Sequence, residues 1–310
     1  MKKFRFTSIL AGLLCVAMLA SACGSDTKKN EENLGKDDQN PVTDNNDVPT
    51  AENQQPDVSI DASKLITLDD ENTDVGDSGA TYADGILSIT KAGVYRLKGT
   101  LTDGQVYVSV DKTKAETVEL ILDGCSITCK TSAAIYCDSA EKLYITANAG
   151  TKNTLTDGYN YIYTAIGMDE PNACIFSDDD MTMRGSGELI VNGNFNNGVS
   201  CKNDIKVKDL TLTVNAANTA IRGKDSVQIN SGNVTVVAKK DGLKASQTEK
   251  EGKGFVEING GTVDITAGDD AVQAVLKITV NGGKVTASFG GKSLNCDGEV
   301  YTADGTFTEK

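Results

Sequence analysis

From Cys174 to Gly291 the chain writes one short pattern five times, and few folds accept that. Each copy opens on a tetrad of a small residue, an aliphatic residue, a variable residue and another small residue. The tetrads are Cys174-Ile175-Phe176-Ser177, Gly198-Val199-Ser200-Cys201, Ala220-Ile221-Arg222-Gly223, Gly242-Leu243-Lys244-Ala245 and Ala271-Val272-Gln273-Ala274. Their starting points are 24, 22, 22 and 29 residues apart, and the last step is lengthened by an insertion at 246–254 rich in Lys, Glu and Gly. A period in the low twenties, with about three short strands in each repeat, predicts a parallel β-solenoid.

Stacking equivalent positions gives aliphatic columns. One reads Ile175, Val199, Ile221, Leu243, Val272, and a second Met183, Val207, Ile229, Ile258, Ile278. Two more read Leu189, Leu212, Val234, Val263, Val285 and Val191, Val214, Val236, Ile265, Ala287. Alternation inside each strand sends one side chain in and the next out. Rungs about 4.8 Å apart then lay each apolar side chain on its own copy. Ser231-Gly232, Gly260-Gly261 and Gly282-Gly283 fall at one turn, where a positive φ is expected. The expected fold is all-β, a single-stranded parallel β-helix, right-handed by the general preference for that crossover.

The chain begins with a secretory signal over 1–22. Lys2, Lys3 and Arg5 precede an apolar run, Ile9 to Leu19, too short to span a bilayer. Leu19-Ala20-Ser21-Ala22-Cys23 resembles a bacterial lipobox, with Cys23 as the lipidated residue and Ala20 a departure from the usual Leu; simple cleavage after Ala22 is the alternative. Residues 23–60 are almost wholly polar, with Pro41, Pro49 and Pro56, and read as a disordered tether. The expected place is therefore outside the cell, lipid-anchored to the membrane surface, with 61–310 as one folded domain and the chain a monomer.

Net charge is −14, and removal of the signal takes away three positive charges to leave −17. That argues against nucleic acid and against docking on anionic headgroups except through a lipid. The absence of histidine excludes Ser-His triads and ordinary zinc sites, and the absence of tryptophan removes the commonest sugar-stacking platform. Cys125 and Cys129 stand about 13 Å apart along one strand, too far to bridge. Cys137 and Cys201 share the small-residue column with Ser177, so most cysteines read as buried hydrophobes, with an inter-rung disulfide as the alternative. A long loop is expected from Asn153 to Pro171.

Several ordered motifs point to one family. They are Asn153-Thr-Leu-Thr-Asp-Gly158, Ala173-Cys-Ile-Phe-Ser-Asp-Asp-Asp180, Gly185-Ser-Gly-Glu-Leu-Ile-Val-Asn-Gly-Asn194 and Ala220-Ile-Arg-Gly-Lys-Asp-Ser226, with the turns around Asp241 and Asp270. Over roughly residues 65–290 the chain resembles the secreted carbohydrate-binding domain proteins of cellulolytic clostridia, parallel β-helices similar to pectate lyases. The resemblance implies binding of plant cell-wall polysaccharide, acidic pectin-type chains and cellulose, with bound calcium. The acidic position before the anchor is kept only at Asp241 and Asp270; Asn197 and Thr219 replace it elsewhere.

Spacing alone allows calcium. Carboxylates on adjacent rungs, about 4.8 Å apart, can ligate one Ca²⁺ between them at about 2.3–2.6 Å. The candidate metal ligands are Asp179 and Asp180 with Asp204 and Asp225, and an outward column of Asp241 and Asp270 beside Asp269. The plain alternative is that these acids are turn residues at a solvated edge. Lys202 and Lys224 form one basic column and Arg222 and Lys244 another, which suits a uronate chain, or merely neutralises the acids. Tyr159, Tyr161 and Tyr163 alternate and are expected either to offer a flat face to sugar rings or to pin their loop. A non-catalytic, calcium-assisted polysaccharide binder is the leading expectation. A calcium-dependent lyase with Lys244 or Arg222 as base, and a structural or adhesive solenoid, are the alternatives.

Overall fold

The computed structural model describes residues 63–304 and 306–310; the signal, Cys23 and the tether lie outside the described residues. Three parallel ladders wrap one apolar core. The first ladder carries the anchor tetrads and runs through Ile86–Ile89, Gln105–Ser109, Ile135–Ser139, Ala173–Ser177, Asn197–Cys201, Ile221–Gly223, Leu243–Ala245, Val272–Ala274 and Leu294–Cys296. The second begins at Lys64–Leu68 and Gly93–Leu101 and ends at Lys277–Val280 and Glu299–Thr302. The third includes Lys152–Asp157, Glu188–Gly193, Leu210–Ala216, Gly232–Ala238, Thr262–Ala267 and Lys284–Phe289. Thr117–Cys129 bends at Asp123-Gly124 and serves two ladders, its first half pairing with Lys142–Ala147 and its second with Lys152–Asp157. Thr81–Ala83 folds back antiparallel on Ile86–Ile89 at the first end.

The registers follow the aliphatic columns. Ile175, Val199, Ile221, Leu243 and Val272 pair in succession, as do Leu189, Leu212, Val234, Val263 and Val285, and all are buried. The second column differs in its last member. Ile258 pairs with Val280, and Ile278 pairs with Val256. The shift is two residues, so the inward set survives because side chains alternate. Alignment from the turns explains it: Ile258 and Val280 each stand immediately before an Asn-Gly-Gly turn, Asn259 to Gly261 and Asn281 to Gly283.

At those turns Gly232, Gly261 and Gly283 have φ of +101°, +83° and +81°. A Cβ on any of them would run into the carbonyl oxygen of the rung before, Leu210, Gly232 and Gly261 respectively. Beside them the amides form a ladder. Asn259 Nδ2 donates to Asn230 Oδ1 at 2.9 Å and Asn281 Nδ2 to Asn259 Oδ1 at 2.8 Å. Each rung so hands its unmatched donor to the previous copy of itself.

One expectation needs correction here, and one alternative falls. Asn153 to Asp157 is strand rather than loop, and Asn153 sits fully buried in the column headed by Leu189. It is tolerated because its Oδ1 accepts from the backbone N–H groups of Gly124 and Cys125, at 2.8 and 3.0 Å, while its Nδ2 donates to Thr151 and Glu188. The six cysteines of the described residues are free, five of them buried, so the inter-rung disulfide does not form. Cys137, Ser177 and Cys201 do share one column.

Candidate functional site

The variable third residue of each tetrad points outward, and the first ladder lines these residues up rung upon rung. The column reads Ser88, Tyr107, Tyr136, Phe176, Ser200, Arg222, Lys244, Gln273, Asn295. Its first half is aromatic. The Tyr107 and Tyr136 rings meet edge to face at 5.5 Å, and Tyr136 and Phe176 at 5.8 Å. Both tyrosine hydroxyls donate to Asp138, at 3.1 Å each. Burial pushes both phenols above their ordinary value, so they remain donors. Phe176 is covered, packed with Ala133 and Ala173, with the Lys202 ammonium 5.8 Å above its ring.

The second half of the column is cationic and amide-bearing. The Arg222 guanidinium makes one hydrogen bond, to Ser246 Oγ at 3.4 Å, and among the described residues no carboxylate pairs with it. Lys244 Nζ lies 2.8 Å from Asp241. Lys244, Ser246, Gln273, Asn295 and Asp297 line a small cleft of about 150 Å³, and Gln273 Oε1 is buried there without a partner. A ligand bearing carboxylates and hydroxyls would meet a guanidinium, an ammonium and a free amide oxygen in successive rungs. Lys202 and Lys224 do share the neighbouring column. Lys202 is spent on Glu170 and Asp178, while Lys224 is exposed.

In the first cluster of expected metal ligands the acids stack as read, and Asp179, Asp204 and Asp225 are each engaged by a lysine while Asp180 is not. Asp179 takes Lys112 Nζ at 3.0 Å and the Ala140 N–H at 3.2 Å. Asp204 takes Lys253 Nζ and Ser226 Oγ, both at 2.7 Å. Asp225 takes Lys250 Nζ and Gln247 Nε2, both at 2.9 Å. Burial opposes ionisation of Asp225, but those two donors outweigh it and hold the carboxyl below its ordinary value. Asp180 accepts the Asp204 N–H at 3.3 Å, and burial raises its pKa.

Asp241 and Asp270 do share a column, but it is not outward: both are buried, held by Lys244 and by Lys292 N–H with Asn295 Nδ2. Asp269 is exposed beside them. Among the described residues no three acidic or thiol side chains converge to hold a metal ion. The donor set here fits ammonium groups better than a calcium cage, which needs six or more oxygens.

The sugar platform expected of Tyr159, Tyr161 and Tyr163 is not formed. Tyr161 stacks on Phe195 at 4.2 Å, and its hydroxyl lies 2.7 Å from Asp157 and 2.9 Å from the Ala173 carbonyl. Tyr163 donates to the Pro171 carbonyl at 3.0 Å. Only Tyr159 stands clear, 76% exposed. The Tyr161 hydroxyl reaches the strands at both ends of the loop and the Tyr163 hydroxyl a carbonyl within it, which turns both rings inward and pins the loop. Sequence reasoning also passed over Tyr107, Tyr136, Gln273 and Asn295, although third-position spacing from Phe176 and Arg222 reaches every one of them.

The outward row of the first ladder is thus aromatic in its first half and cationic and amide-bearing in its second. Residues 83–309 match the family model for carbohydrate-binding domain-containing proteins. A carbohydrate-binding domain-containing protein of Acetivibrio thermocellus is 41% identical over 246 residues, which is 79% of this chain and 85% of the relative. The chain belongs to that family. A solved polysaccharide lyase-like protein from C. thermocellum, a gadolinium derivative, superposes with a TM-score of 0.76 at 40% identity, covering 79% of this chain and 99% of that one. The carbohydrate-binding family and the lyase-like solenoid thus meet in one chain.

Proposed function

We propose that this family member is a non-catalytic binder of acidic plant cell-wall polysaccharide, held at the outer cell surface by a lipid on Cys23. The observation that carries the reading is Arg222, a half-buried guanidinium on the outward column with no carboxylate partner among the described residues. A uronate chain would supply that partner, with Lys244 and Lys224 alongside and the Gln273 oxygen free for a sugar hydroxyl. Pectin-type chains fit this chemistry better than cellulose does, since cellulose has no carboxylate to offer. Calcium is not required by the reading, because lysines already serve Asp179, Asp204, Asp225 and Asp241.

The lyase reading draws on the name of the solved relative. It would need Lys244 or Arg222 to take a proton, and Lys244 is committed to Asp241 in a cleft of only about 150 Å³. Retention on polygalacturonate and on cellulose, with calcium and with a chelator, tests the proposal. Retention on polygalacturonate that persists in chelator and falls roughly tenfold or more in Arg222→Ala is expected. Ultraviolet absorbance from unsaturated uronides would instead establish a lyase. No retention on either polymer would leave a structural solenoid.

A further inference from the structure

A second recess lies on another face, outside the column just described. Its volume is about 370 Å³, and its walls are Ala92, Gly93, Val94, Ala115, Glu116, Thr117, Glu119 and Tyr144. Val94, Glu119 and Tyr144 are outward residues of three consecutive rungs of the second ladder. The floor is made of small residues, and Ala115 adopts a left-handed backbone at φ +55°, a conformation a side-chain-bearing residue holds only when its surroundings impose it.

The polar groups of this recess are arranged for a ligand. Glu119 is 7% exposed, and both hydrogen bonds it accepts fall on Oε1, from Thr146 Oγ1 at 2.5 Å and Arg184 at 3.0 Å. Its Oε2 accepts no hydrogen bond among the described residues, and neither does the Glu116 carboxylate, whose charge is felt by the neighbouring Lys114. The Tyr144 ring forms the remaining wall. Arg184, from the following rung, lies 4.7 Å from the ring centroid, while the other walls come from the two preceding rungs. The guanidinium thus touches both the ring and the Glu119 wall.

Charge selects the ligand class. Glu119 pairs with Arg184, Lys114 neighbours Glu116, Lys64 Nζ reaches the Gly93 wall, and the Lys142 ammonium lies 5.8 Å from the Tyr144 centroid, so both signs of charge are present. A uronate would face two carboxylates, and an amino sugar would meet Lys142 and Arg184 beside the ring. A neutral pyranose matches: hydroxyls to donate to Glu116 and to Glu119 Oε2, and an apolar ring face for Tyr144. We infer that this recess is a separate subsite for a neutral sugar, opposite in chemistry to the cationic column. The inference rests on the glycan-binding reading but uses none of the same residues.

Binding of cellohexaose, xylohexaose and mannohexaose to the whole protein tests it, followed by tyrosine fluorescence and by calorimetry. At least one neutral oligosaccharide is expected to saturate. Tyr144→Ala and Glu116→Gln should each weaken it roughly tenfold or more while leaving polygalacturonate retention unchanged. Arg222→Ala should do the reverse. Unchanged circular dichroism of each variant excludes unfolding as the cause. No saturation by any of the three, or equal affinity in Tyr144→Ala, overturns the subsite whatever polygalacturonate does. Loss of polygalacturonate retention alone would sink the first reading and leave this one standing.

Discussion

Asp157 is a carboxylate 2% exposed, with the Asn194 N–H and the Tyr161 hydroxyl as its side-chain partners. Burial pushes its pKa up from 3.8 to about 6, against the pull of those donors. The folded state therefore holds the proton more tightly than the unfolded chain. Its contribution to stability is full below 3.8 and is lost as pH rises through 6. Asp157→Asn removes that dependence. Its amide would donate to the Tyr161 oxygen, which then donates to Ala173. We expect thermal melts to show the variant more stable than the parent above pH 6, by up to about 3 kcal/mol, and equal to it in acid.

A second residue-scale outcome concerns the glycine ladder. Gly261→Ala should cost about 2 kcal/mol or more, for the positive φ and for the Gly232 carbonyl in its way. Gly150→Ala, with φ +71° but nothing near its Cβ, should cost only about 1 kcal/mol. Denaturant midpoints of the two variants distinguish strain from collision. The glycine turns were readable in the sequence because only glycine supplies that geometry repeatedly. Asn153 was not, because a buried asparagine in an aliphatic column is justified only by N–H groups about thirty residues away in sequence.

At the scale of elements, the insertion at 246–254 is a clamp. It reaches back across the rungs to bring Gln247 and Lys250 to Asp225 and Lys253 to Asp204. Lys250→Ala leaves the Asp225 carboxylate, with its side chain 5% exposed, without its cation. Because Lys250 itself is more than half exposed, solvent screens the pair, and a loss of about 1–2 kcal/mol is expected. Adding Asp225→Asn should recover most of it, which a double-mutant cycle in urea would read directly. The columns of acids were legible as columns, since register follows the aliphatic pattern. Their partners were not. Lys112 reaches Asp179 over 67 residues of sequence, and no periodicity announces a contact made by an insertion.

For the whole molecule, the core is one continuous cluster from Ile66 to Ala287, and it thins at the far end. Leu294, Cys296 and Phe307 are only partly buried against it, and Glu299–Thr302 is exposed throughout. Stability in a solenoid passes from neighbour to neighbour, so a rung buried this little draws little support from the core. Native-state hydrogen exchange should be fastest over 294–309 and slowest in the central rungs; uniform protection would show a single all-or-none unit instead. The architecture was read from the chain because the same few kinds of contact recur. The proposed ligand surfaces were legible only in part, because each outward position is individual.

The cysteines turn this gradient into a chemical ruler. Burial pushes the Cys125 and Cys137 thiols up to about 12, and raises Cys129, Cys174 and Cys201 as well. Thiols so protonated and shielded are poor nucleophiles toward a maleimide. Cys296, half-exposed on the terminal rung, is free to react first. Among the thiols of the described residues a dye can thus be directed first to Cys296, and the order in which the others become labelled on warming would time the unzipping rung by rung.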